Sequence, residues 1–188
     1  MPKKRVDQAR LRHACNLLLT AIGEDPMREG LRETPDRFAR MWAEFIEFDP
    51  GKTETTFEQH QSAAGQMVCV TGMRVYSMCE HHLLPFACDV AVAYVPAGKI
   101  MGLSKFARIA KQFARRLQNQ ERLVAQIAEE VRRISGSADV AVMASGPHLC
   151  MMMRGAEMPS TMHSTAFSGV FDTDSPQRAE FVALARGK

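Results

Sequence analysis

Met67-Val68-Cys69-Val70-Thr71-Gly72-Met73-Arg74-Val75-Tyr76-Ser77-Met78 runs directly into Cys79-Glu80-His81-His82, and Leu83-Leu84-Pro85-Phe86 follows. The first twelve of these residues are rich in Val, Met and Tyr and read as a β-strand. Asp89 to Val95 reads as a second strand, ended by Pro96 and Gly98. Strands this close in sequence, joined by a short turn, favour an antiparallel pair. The expected fold is therefore an α+β sheet and not a doubly wound one.

Outward from this pair the pattern changes to helical. Ser104 reads as the N-cap of a helix carrying Phe106, Ile109, Ala110, Phe113 and Leu117. A second helix is expected over 120–134, with Leu123, Val124, Ile127, Val131 and Ile134 on its apolar side and Gly136 at its end. Further strands are expected around Asp139–Ala144, Leu149–Met153 and Thr161–Phe171, then a turn over Asp172–Arg178 and a short terminal helix. Upstream, residues 5–22 read as a helix with Leu11, Ala14, Cys15, Leu18 and Ile22 on one face, and His13 as an ordinary part of it. Thr34-Pro35-Asp36 reads as an N-cap, a first-position proline and a first-turn acid. Phe38, Met41, Trp42 and Phe45 form the apolar stripe of that helix. Residues 49–65 are polar and read as a connection. The division expected is an N-terminal helical region, 1–65, and a catalytic domain, 66–188.

Composition sets limits on function. Hydrophobic residues make up 46% and charged residues 24%, as in an ordinary globular protein. No apolar run reaches the length of a membrane span, and no apolar core follows the basic start Met1–Arg5, so a cytoplasmic location is expected. Five cysteines in such a chain point to metal or catalytic use before disulfides. Cys15, Cys69 and Cys88 lie in apolar segments and read as core, and the Met151-Met152-Met153 run as packing. The net charge is only +3, but residues 99–133 carry nine Lys/Arg against three Glu.

Zinc takes thiolate and imidazole ligands. Cys79 and His82 stand three residues apart, as a tight turn after a strand allows for two ligands. Cys150 offers a third. Three protein ligands leave a position for water, the arrangement of catalytic and not of closed structural sites. His81 adjoins a ligand and titrates near neutrality, which suits proton transfer. On a strand, His148 and Cys150 would share a face; the plainer reading of either extra histidine is a bond to a backbone carbonyl. Ser104, Lys105 and Arg108 open a helix, where free N–H groups and the dipole favour an anion such as phosphate, although a basic solvated face has the same spacing. Glu121 could simply complement the dipole of its helix. It could also accept the paired hydrogen bonds that guanine N1–H and its 2-amino group offer and adenine does not. Arg37 and Arg40 read from spacing alone as a solvated face.

Together these residues resemble GTP cyclohydrolase I. The resemblance rests on Cys79–Phe86, Ala93-Tyr94-Val95-Pro96, Gly102–Ile109, Phe113–Leu123, His148–Met151, Met153-Arg154-Gly155 and the Thr34–Arg37 helix start, and extends over about residues 6–184. It implies the tunnelling fold, an antiparallel sheet with two helices on one face plus N-terminal helices. It implies a homo-oligomer, a decamer of two pentamers, with active sites between subunits. By motif match Cys79, His82 and Cys150 hold Zn2+, and His81 and His148 are acid/base residues. Glu121 anchors guanine with Gln120 beside it, and Ser104 serves the ribose. Lys105, Arg108 and Arg154 hold the triphosphate, with Arg37 and Arg40 from a neighbouring subunit. The implied reaction begins with addition of water at C8 of GTP and yields formate and 7,8-dihydroneopterin triphosphate. Three features depart from the family pattern: Asn119, where an apolar residue is usual; Ser145-Gly146-Pro147; and a short Ala156–Ser160 loop. A relative acting on another pterin or deazaguanine would use a different metal set or a nucleophilic cysteine. A zinc-stabilised nucleic-acid module would need aromatic stacking groups among the charges of 99–133, which are lacking. Neither nucleic acid nor membrane is expected as a partner.

Overall fold

The computed structural model describes residues 5–58, 65–173 and 175–187. Met1–Lys4 of the basic start and residues 59–64 of the polar connection lie outside the described residues. The chain forms two compact units, Met1–Asp49 and Pro50–Lys188.

The first unit is a pair of helices, α1 (Gln8–Ala21) and α2 (Thr34–Ile46). Asp7 caps α1, its carboxylate accepting from the Arg10 N–H. The face α1 buries differs from the one its sequence suggests. Cys15 and Leu19 are buried, whereas Leu18 and Ile22 are 53% and 64% exposed. The buried residues are four apart and share one face of the helix. On α2 the buried positions are Pro35, Ala39, Ala43 and Phe45, so its stripe is built around small residues as much as around Phe38 and Trp42. The α2 cap is Glu33, one residue before Thr34, and its side chain makes no capping bond to the helix N–H groups.

The second unit opens with β1 (Thr56–Glu58), which pairs antiparallel with β4 (Lys99–Met101); part of the polar connection thereby belongs to this unit. The main sheet has five strands in the order β5-β2-β3-β6-β7. They are β2 (Val68–Cys79), β3 (Pro85–Tyr94), β5 (Leu117–Gln118), β6 (Val140–Gly146) and β7 (Met162–Ser168). The pairs β2–β3, β3–β6 and β6–β7 are antiparallel, and the two-residue β5 runs parallel to β2. Helices α3 (Leu103–Ala114) and α4 (Gln120–Ser135) cover one face of the sheet. There Phe86, Cys88, Val90, Val92 and Tyr94 of β3 alternate inward against Phe106, Ile109, Leu123 and Ile127. The opposite face packs Ala91, Ala93, Ala141 and Met143 against Phe171 and Phe181, the latter on α6 (Pro176–Ala185). Helix α4 ends at Gly136, φ +71°, whose N–H bonds back to Arg132 O.

One expected strand is a helix. Leu149–Met152 forms α5, closed by bonds from Met151 N and Met152 N to His148 O and from Met153 N to Leu149 O. The sheet position beside β6 is filled by β7. No helix among the described residues is long and apolar enough to cross a membrane.

Candidate metal centre and active site

Strand β2 ends at Cys79, and the chain reverses at once. Cys79 N donates to Leu84 O at 2.8 Å and Leu83 N to Cys79 O at 2.9 Å. Leu83 takes the left-handed conformation, φ 55°, which a side chain adopts only where the surroundings demand it. This reversal returns His82 to Cys79, with Sγ and Nδ1 3.8 Å apart. Cys150, in the first turn of α5, completes the group. It is set by a bridge between Phe86 and His148 and by the Ala87 N–H bonded to Pro147 O. Ligand atoms of Cys79, His82 and Cys150 all lie within 4.8 Å of one another, and no other such group of three occurs among the described residues.

These donors fit zinc. A tetrahedral ion with Zn–S of about 2.3 Å and Zn–N of about 2.0–2.1 Å holds a sulfur and a nitrogen ligand roughly 3.5–3.6 Å apart, and the Cys79–His82 pair, at 3.8 Å, is within a few tenths of an ångström of that. Burial pushes the Cys150 thiol upward, and its hydrogen bond with Cys79 and the charge of Cys79 act in the same direction. A cation held beside the Cys150 sulfur would oppose that upward shift.

The loop that carries the ligands is tied to α4. Glu80 accepts from Arg122 and, at 3.2 Å, from Asn119 Nδ2. The Arg122 guanidinium holds the Glu80 carboxyl below the usual carboxylate range. Asn119 is also the N-cap of α4, its Oδ1 accepting from Arg122 N at 2.8 Å. One side chain thus caps the helix and grips the loop. Glu80 N donates to Gln118 O on β5. Buried Gln118 is held by its own bonds to Phe113 O and Gln126. Pattern reading missed Glu80, Gln118 and Arg122; polar residues at the start of an otherwise apolar helix were the available signal.

His148 stacks on Phe86, ring centroids 4.4 Å apart and planes 7° apart. Its Nε2 lies 2.9 Å from Gln120 Oε1. Burial lowers its pKa, opposed by the charge of Glu121, so the neutral imidazole is favoured. His81 stands on the solvent side, 65% exposed, with Nδ1 4.0 Å from Cys79 Sγ and Nε2 3.8 Å from Glu80. Gln120 is fully buried and Glu121 is exposed.

At the start of α3 the N-cap is Gly102, so Ser104 lies exposed in the first turn and is not the cap. Lys105 Nζ donates to Lys52 O at 2.9 Å and Arg108 to Pro50 O at 2.7 Å. Both cations therefore already meet carbonyl oxygens, where an anion would also be received. Arg154 follows α5 and its charge acts on Cys150. Arg37 and Arg40 lie on α2 in the first unit, both exposed, with Arg37 paired to Glu33 at 2.7 Å.

The profile of the family GTP cyclohydrolase I matches residues 11–186. A protein named GTP cyclohydrolase 1 from Hyperthermus butylicus is 46% identical over 93% of this chain and 89% of its own. One of the same name from Pseudoalteromonas translucida is 45% identical over 90% and 94%. Another from Aquifex aeolicus is 44% identical over 97% and 98%.

Proposed function

The chain belongs to the GTP cyclohydrolase I family, and from that membership we propose that it hydrolyses GTP at C8, releases formate and recloses the rest as 7,8-dihydroneopterin triphosphate, using zinc. The observation that carries the zinc-dependent reading is the convergence of Cys79, His82 and Cys150 beside two further histidines. Zinc bound by these three residues would supply Lewis acidity and make water a nucleophile near neutral pH.

The chain's own residues divide the remaining work. Glu121 accepts from guanine N1–H and the 2-amino group, with Gln120 beside it, and so rejects adenine, which would leave the carboxylate unpaired. His81 holds a proton for the purine nitrogen freed as the five-membered ring opens. His148 and Ser104 serve the opening and rearrangement of the ribose. Lys105, Arg108 and Arg154 hold the triphosphate, joined by Arg37 and Arg40 of a neighbouring subunit. This belongs to a tunnelling fold assembled as a cytoplasmic decamer of two pentamers, with sites between subunits. One water opens the ring at C8, a second frees that carbon as formate, and the exposed amino nitrogen then condenses with the opened, rearranged sugar and releases one water.

The test is turnover of GTP by zinc-loaded protein, with formate and oxidised-pterin fluorescence read together. Equal amounts of both, lost with bound zinc in Cys150→Ser, are expected. Formate without pterin would reject the ribose steps. Full turnover in metal-free protein would reject the role of zinc.

A further inference from the structure

We propose that Gln120 is a positioning residue for His148, holding the imidazole proton on Nε2 so that Nδ1 is the nitrogen that exchanges protons with substrate. This rests on the reading of His148 as an acid/base residue of a GTP-converting site.

The hydrogen-bond pattern leaves no other arrangement. Gln120 is fully buried, and one end of its carboxamide lies 3.0 Å from Ala144 O and 3.1 Å from Met162 O. Backbone carbonyls only accept, so that end must be the NH2 group, and both of its hydrogens are used. The other end is therefore the oxygen, which has nothing to donate. His148 Nε2 lies 2.9 Å from it and must be the donor. A neutral imidazole with its hydrogen on Nε2 has its lone pair on Nδ1. The Cys88 thiol, 3.3 Å from the same oxygen, is a second donor and cannot reverse the polarity. Burial pushes that thiol up to about 12, so it keeps its hydrogen. The stack on Phe86 fixes the plane of the ring, and the Gln120 bond fixes which edge of it faces inward. Because Ala144 is in β6 and Met162 in β7, the orientation of Gln120 is set by the sheet itself.

A purely structural role, in which Gln120 only fastens α4 to those two strands, predicts different results. The first measurement is the 15N spectrum of zinc-loaded wild-type protein labelled at histidine, with His148 assigned by its disappearance in His148→Asn. We expect Nε2 in the protonated, pyrrole-type range and Nδ1 in the pyridine-type range. The reverse assignment overturns the proposal. The second measurement is steady-state turnover of Gln120→Met, which keeps the shape of the side chain and removes the acceptor. Its kcat should fall about 100-fold, the lower end of what a positioned acid/base contributes. Zinc content should hold, and the His148 nitrogens should lose their fixed assignment. Gln120→Glu, which as the neutral acid keeps an acceptor for Nε2 and an O–H for the Ala144 and Met162 carbonyls, should regain at least about tenfold of that loss. An unchanged kcat in Gln120→Met, or equal loss in both variants with the His148 spectrum unmoved, overturns the proposal. If Gln120→Met does not fold, the wild-type spectrum still decides. If wild-type protein converts no GTP, the parent reading fails while the spectrum still settles which nitrogen holds the proton.

Discussion

Replacing Gly146 by alanine should disrupt stability and site together. A Cβ at this position would lie 1.7 Å from Ala87 O, 2.7 Å from Ala87 C and 2.8 Å from Cys88 Cα. All three atoms are backbone, so no change of rotamer relieves the clash. Restoring the 3.4 Å of ordinary contact requires β6 and β3 to separate by most of the missing 1.7 Å. The bond from Ala87 N to Pro147 O, already 3.3 Å long, does not survive such a movement. Overpacking of this kind costs about 1–3 kcal/mol, and each backbone bond lost adds about 1 kcal/mol. The total is about 2–4 kcal/mol, against a usual folding stability of about 5–15 kcal/mol. The variant should therefore fold at low temperature and unfold at clearly lower urea concentration. Gly146 also lies two residues before His148, so the shift carries the ring away from Phe86 and Gln120. A displacement of about 1 Å can cost about 100-fold in rate. Urea unfolding followed by circular dichroism reads the first effect, and GTP turnover of the folded variant reads the second. A Gly146→Ala protein with unchanged urea midpoint and rate would show that the strands do not need this close approach.

Two further predictions concern the clamp between the ligand loop and α4. Asn119→Ala removes the helix cap and one of the bonds to Glu80, and should lower stability by about 1 kcal/mol or somewhat more; an unaltered urea midpoint would mean that neither bond contributes. Arg122→Met should change the acid limb of stability. Arg122 depresses the Glu80 carboxyl in the folded chain, so its contribution is complete above the ordinary value of 4.5 and lost as pH falls through the lower, folded value. Between these points the wild-type urea midpoint should fall more steeply than that of Arg122→Met, and superimposable profiles would reject the linkage.

What could be read in the sequence depended on whether a residue's role was local. The strand before Cys79, the helix at 120–135 and the Gly136 stop follow from periodicity and capping, which act over a few residues, and so does the helix at 103–114, although Leu117, expected inside it, lies in β5. The meeting of Cys79, His82 and Cys150 depended on thiolate and imidazole chemistry and on likeness to a family. Roles fixed by distant partners were not legible. Leu149–Met152 has the apolar character of a strand, yet its backbone closes on His148 O and Leu149 O as a helical turn while β7 takes the place beside β6. Leu18 and Ile22 are as apolar as Cys15 and Leu19, and only the packing of the folded unit decides which pair is buried. Asn119 departs from the family pattern because its two partners, Glu80 and Arg122, meet only in the fold.

The helical form of α5 changes what His148 and Cys150 can do. On a strand, two residues apart, they would have pointed the same way and competed for one cavity. With His148 instead at the N-cap of α5 and Cys150 in its first turn, the two side chains part. Cys150 meets Cys79, and His148 meets Phe86 and Gln120. A similar division occurs at Gln118-Asn119-Gln120. Gln118 secures the strand beside Cys79, Asn119 grips Glu80 between Cys79 and His82, and Gln120 faces the opposite cluster and holds His148. Three consecutive amide side chains thus brace both halves of the site from one short stretch of backbone. A shift of α4 along its axis would disturb the ligand loop and the histidine together, which explains why a polar cap and two buried amides stand at the start of an otherwise apolar-faced helix.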